Sequence, residues 1–228
     1  MRTTRLRATS NLVHRAFNVT GEVLRETRAM RRGVKRMPKP VPWDWAAPRM
    51  LPIFSGPSLD GPGEPLIRAR AEVGPMVQFG VDLGGAFMYV DEAVAQRWEC
   101  STEQLMDRAL RNLSKRAGRI EGMQVVSGVM SGRSIRILRD RPRWASSLIL
   151  APNELFRLFG DHDQILGAPT ESCLVSLPMD TPSHVVADIL VDFERGTLRP
   201  LWLDPFIVSN QQISWGDEVE AGDEDDRW

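Results

Sequence analysis

"SLILAPNELFRLFGDHDQILGAPTESCLVSLP", residues 147–178, is the most regularly punctuated stretch of the chain. Pro152–Phe159 has the length and apolar spacing of a short helix, and Gly160 closes it. A polar turn, Asp161–His162–Asp163, follows. Gln164–Ala168 and Ser172–Leu177 then read as two strands on either side of Thr170–Glu171–Ser172. The run before the helix, Trp144–Leu150, is uniformly apolar apart from two serines and reads as another strand. Hairpins mixed with short helices favour an α+β fold over a regular parallel α/β fold. The question for function is whether this stretch holds reactive groups or only builds a core.

The flanking segments extend the same pattern. "MVQFGV" and "AFMYV" read as a hairpin around Asp82–Gly85. Asp91 is placed to cap a helix over "EAVAQRW". Ser101 and Gln104 have capping-box spacing, and Leu105, Ala109, Leu110, Leu113 and Ala117 share one face of the helix that follows. Gly118 ends it, and Arg108, Arg111 and Lys115 fall on its solvated face. Strands are expected around Gln124–Met130 and Ser134–Leu138. A last helix is expected after Thr181 and Pro182, with Val185, Val186, Ile189, Leu190 and Phe193 buried, and a final extended segment around Leu201–Val208. The expected fold is therefore a mixed, mostly antiparallel sheet covered by helices.

Charge is segregated along the chain although the formal net charge is only −1. Residues 1–39 hold eleven Lys and Arg against Glu22 and Glu26, whereas residues 216–228 hold seven acids against Arg227. Residues 1–37 read as a basic arm, helical after Ser10 and alternatively suited to a transit peptide. Residues 38–65 contain eight prolines and read as a linker or a wrapped surface segment. Trp43, Trp45, Ile53 and Phe54 argue that part of it docks. Residues 66–215 form the α+β domain, and 216–228 an acidic disordered tail. No apolar run approaches the roughly 20 residues of a membrane-spanning helix. No secretory signal is read at the N-terminus, and Cys100 and Cys173 fit a reducing, cytoplasmic setting.

Four stretches carry a family resemblance. They are "FGVDLGGAFMYVDEAVAQRWECSTEQLMDRALRNL", "RWASSLILAPNELFRLFG", "DQILGAPTESCLVSLP" and "LRPLWLDPFIVSN". Their order and apolar pattern, over residues 76–210, resemble the YtpQ-like family of bacterial proteins of unknown function. The resemblance implies an intracellular α+β protein and brings no site residue with it.

The candidates for chemistry are few. His14, His162 and His184 are far apart in sequence and far from both cysteines. Asp161–His162–Asp163 offers metal-ligand types, but neighbouring side chains diverge and cannot surround an ion, so a polar turn is the simpler reading. Cys173 lies within an apolar strand and Cys100 just before a helix cap. "GVDLGG" and "GVMSGRS" lack the phosphate-loop pattern and its lysine. No cofactor and no metal is expected.

Arginines are the remaining signal. Arg139, Arg141 and Arg143 share parity and would line one face of an extended segment, meeting either phosphates or a carboxylate partner, or simply guarding a sheet edge. With Arg31, Arg32, Lys35 and Arg36 of the basic arm they are the candidate binding residues. The first functional reading is a non-catalytic module that binds another protein. The second is nucleic-acid association through the basic arm, and the third a hydrolase or transferase assembled from carboxylates such as Asp161, Asp163 and Asp204.

Overall fold

A computed structural model describes residues 27–54, 66–70, 74–84, 86–139, 144–195, 200–201 and 203–215, save the side chain of Met123. Helix α1 covers residues 27–36. Then come α2 (Trp43–Ala46), β1 (Met50–Phe54), β2 (Arg68–Arg70), β3 (Met76–Asp82), β4 (Phe87–Tyr89), α3 (Glu92–Arg97) and α4 (Thr102–Ala117). The second half contains β5 (Val125–Met130), β6 (Arg133–Arg139), α5 (Pro152–Phe159), β7 (Gln164–Thr170), β8 (Cys173–Pro178), α6 (Ser183–Glu194), β9 (Phe206–Ser209) and β10 (Gln212–Trp215). The fold is α+β, with two sheets where the sequence suggests one, and every strand pair is antiparallel.

The smaller sheet is organised on β3. One side of β3 pairs with β1, from Met50↔Val81 to Phe54↔Val77. The other side is shared end to end by β2, at Arg68↔Gln78, and β4, at Gly80↔Tyr89. The expected β3–β4 hairpin is present. Strand β1 comes from the proline-rich stretch, so the folded body takes in residues before Leu66. As an edge strand β1 tolerates Pro52, which has no amide proton to donate. Three hydrogen bonds hold its approach in place. Trp98 Nε1 donates to Val41 O at 2.9 Å, and Asn112 Nδ2 donates to Ala47 O at 2.7 Å and to Met50 O at 2.9 Å. The face bearing Met50, Phe79 and Val81 packs against α2, α3 and the first half of α4.

The larger sheet runs β10-β9-β7-β8-β6-β5. One of its faces, through Ile135, Ile165, Val175 and Leu177, is covered by α6. Gly167 lets α6 come close, because a Cβ there would sit 2.2 Å from Leu190 Cδ2. Pro169 is accommodated where the β7–β8 register shifts between Gly167 and Thr170.

Local signals explain the helices well. Asp91 accepts a hydrogen bond from Val94 N, and Ser101 and Gln104 close a reciprocal capping box. Leu105, Ala109, Leu113 and Ala117 are buried, and Arg111 is exposed and pairs with Asp107. Two expectations fail. Thr181 does not cap α6: its hydroxyl is buried without a hydrogen-bond partner among the described residues, and Pro182 takes the N-cap position. The run before α5 is not a strand but a 3-10 turn, Ser146–Leu150. That turn is wedged between the sheets, touching β1, α4, α5, β7 and β8. With Trp144 through Ile149 all buried, there is no exposed face to set a periodicity, and such a run does not distinguish strand from helix.

Leu148 is fully buried in this wedge. Leu148→Ala is expected to lower unfolding free energy by about 2–5 kcal/mol with an unchanged denaturant slope, as measured by urea unfolding followed by circular dichroism.

Candidate functional site

Arg136 of β6 is spent on the structure. Arg136 donates from Nη1 to Phe159 O at 2.5 Å and from Nη2 to Leu158 O at 2.6 Å, so it closes the C-terminal carbonyls of α5. Its guanidinium also lies 5.6 Å from the Phe159 ring centre. Arg133 pairs with Asp180 at 3.0 Å. Arg139 sits 5.2 Å from the Phe193 ring centre and opposite Cys173 in the sheet. Arg141 and Arg143 lie outside the described residues, as do His14 and the helix expected after Ser10.

The polar turn after α5 is also committed. Asn210 N donates to Asp163 Oδ1 at 3.2 Å, and Gln211 Nε2 donates to Asp161 Oδ2 at 3.1 Å. Both acids thereby hold the tight turn between β9 and β10, where Asn210 and Gln211 have φ of 50° and 62°. Gln164 lies beneath, donating to Gly160 O at 2.9 Å and accepting from Ser176 Oγ at 2.6 Å. Asp204 lies at the other end of the β9–β10 hairpin, where its carbonyl accepts from Trp215 Nε1 at 3.3 Å. His162 and Cys173 flank opposite ends of the β7–β8 hairpin, since Gln164 pairs with Pro178 and Thr170 with Cys173. The carboxylates, the histidine and the cysteine are therefore not brought to one place. Among the described residues no group of three His, Cys, Asp or Glu side chains could hold a metal ion.

A buried polar seam joins the two sheets. Tyr89 Oη donates to Glu171 Oε1 at 3.1 Å, and Ser146 N and Oγ donate to Glu171 O at 3.3 and 3.2 Å. Glu171 sits in the two-residue turn of the β7–β8 hairpin and is almost fully buried. The Tyr89–Glu171 bond crosses from the smaller sheet to the larger.

A shallow cleft of about 440 Å³ lies between α3 and the start of α4, lined in part by Ile67, Glu92, Gln96, Glu99, Cys100 and Glu103. Burial raises the Cys100 thiol above its ordinary pKa, and the Ser101 hydroxyl lowers that of Glu103. A raised thiol beside carboxylates is a poor nucleophile at neutral pH.

Helix α1 differs from all of these. Ala29 and Gly33, one helical turn apart, face the body. Gly33 is buried against Leu83, where a Cβ would come within 2.4 Å of Leu83 Cβ. At 100° per residue, Arg28, Arg31, Arg32, Lys35 and Arg36 occupy one continuous arc, and all five are exposed. None forms an ion pair among the described residues. Met30 and Val34, also exposed, form an apolar strip beside that arc. Arg31, Arg32, Lys35 and Arg36, the candidate binding residues of the arm, all lie on this helix.

With the fold and these surfaces in view, comparison adds one relative. The chain is 22% identical over 167 residues to a UPF0354 protein of Listeria monocytogenes serotype 4a (strain HCC23), over 70% of this chain and 59% of that protein. It thus spans less than two thirds of that relative's length and is similar to an uncharacterised bacterial protein. No family model matches, and no solved structure matches. No helix of the described residues is long and apolar enough to cross a membrane.

Cys173 supplies a test of the scaffold reading. Burial raises its pKa, and the nearby Arg139 charge opposes this only in part. The folded state then holds the thiol proton more tightly than the unfolded state. Its stabilising contribution is complete at low pH and is lost as pH rises through the cysteine range of about 8.5 and above. Cys173→Ala should flatten the alkaline fall in stability. In the native protein the thiol should resist aromatic disulfide reagents at neutral pH until global unfolding.

Proposed function

We propose that this chain is a non-catalytic interaction module that engages an acidic protein partner through α1. The single observation that supports it most is the arc of five exposed cations on α1, seated on the body by Gly33 and unpaired among the described residues. Held on a formed helix, these charges lose less conformational freedom on binding than they would in a flexible tail. The strip of Met30 and Val34 favours a protein surface over a phosphate backbone. A mixed face can bury apolar area while its cations meet carboxylates. Elsewhere, Arg136 of β6 and the Asp161 and Asp163 carboxylates are taken up by structural bonds, which suits a scaffold. Cys100 and Cys173 are both free thiols, which supports a cytoplasmic location.

The test is charge reversal at Arg31, Arg32, Lys35 and Arg36 to Glu. These side chains are exposed, so thermal unfolding should change little. Partners captured by the parent chain from native lysate should be lost, with affinity for any purified partner falling about tenfold or more. Fluorescence anisotropy with short DNA and RNA at low salt separates the alternative. Tight binding that the reversal abolishes and that weakens steeply with salt would move the assignment to nucleic acid. Identical partner sets before and after reversal would end the role of α1.

A further inference from the structure

The outer edge of the larger sheet carries a feature that neither the basic helix nor the scaffold explains. Strand β5, Val125–Met130, ends the sheet, and β6 is its one strand neighbour among the described residues. Its sequence, VVSGVM, has no charge and no proline. Edge strands usually carry such residues to discourage pairing with other chains. Instead Val126 and Val129 are 62% and 77% exposed, on opposite faces of the strand.

We infer that β5 is a self-association edge, pairing antiparallel with β5 of a second copy about a two-fold axis at Ser127. The β5–β6 turn fixes which groups are free. Ser131 and Gly132 have φ of 51° and 76°, the pattern of a type I′ turn, closed by Met130↔Arg133. That closing pair is hydrogen-bonded, and bonding alternates along the strand. Val126, Gly128 and Met130 therefore bond inward to β6. The amides and carbonyls of Ser127 and Val129 point outward, as does the carbonyl of Val125, whose amide is already held by Gly122 O of the preceding turn. A two-fold axis normal to the sheet must pair residues of equal parity, because facing residues share a face. Centred on Ser127, it sets Ser127 against Ser127 in a fully bonded pair, and Val125 against Val129, where the Val129 amide meets the Val125 carbonyl while the Val125 amide stays with Gly122 O. Val126 then faces Gly128 of the other copy, a large residue against the one residue that leaves room. Self-pairing sets each charge beside its own copy, and this strand has none to repel. Six residues a side fall far short of the roughly 20–30 of a standard interface, which makes the association weak and reversible.

Sedimentation equilibrium of the full chain, from about 10 μM to 1 mM, reads the mass. The weight-average mass is expected to rise from 25.7 kDa toward twice that value. Ser127→Pro removes an outward amide that β6 does not use, and Val126→Lys places like charges diagonally across the axis. Each should hold the chain monomeric with unchanged thermal unfolding. If the proline variant does not fold, the lysine variant carries the test. Hydrogen exchange should show the Ser127 and Val129 amides gaining about tenfold or more protection as concentration rises, while those of Val126 and Gly128 are protected throughout. A constant mass, a dimer that survives both variants, or outward amides that stay unprotected in the dimer would overturn the inference.

Discussion

Two sheets that share no strand pairing need something between them, and here it is the buried turn Ser146–Leu150. Leu148 and Ile149 fill the gap between β1 and α4 on one side and β7 and β8 on the other. The backbone of the wedge is not left unsatisfied. Ser146 N and Oγ both donate to the carbonyl of Glu171, whose carboxylate accepts from Tyr89 of the smaller sheet. Apolar volume and a polar seam thus meet at one point. A bond buried there resists opening, because separating the sheets would leave its polar atoms unpartnered in a low dielectric.

Arginine works at helix ends in the same economy. The last carbonyls of a helix have no partner of their own. Arg136 from β6 satisfies those of α5, and Arg157 of α5 donates to Ala117 O at 2.8 Å, at the end of α4. Each long side chain ties one element to the terminus of another. These arginines are accordingly unavailable to a ligand, although sequence composition counts them alongside those of α1. What separates the two groups is contact, not residue type.

The functional picture rests on that separation. Among the described residues, two surfaces keep unspent binding capacity of different kinds. Helix α1 is one, rich in charge and laid on the body through a glycine contact. Strand β5 is another, poor in charge and, among the described residues, open along its edge. We propose an acidic partner for the first and a copy of the chain itself for the second.

How much of this was legible depends on the range of the interaction concerned. The Asp91 cap, the Ser101–Gln104 box, the α4 stripe, the extent of α5 and the β7–β8 hairpin are set within a few residues, and the sequence alone determined them. The Asp161–Asp163 turn was legible as polar and structural, although its bonds to Asn210 and Gln211 were not. Tertiary structure decided the rest. It made Trp144–Leu150 a wedge, because a run buried on every side has no period to betray its geometry. It turned Met50–Phe54 into a strand by supplying β3 as partner and an edge that tolerates Pro52. It also chose which arginines stay free, since a guanidinium is spent only when distant carbonyls or rings are brought within its reach.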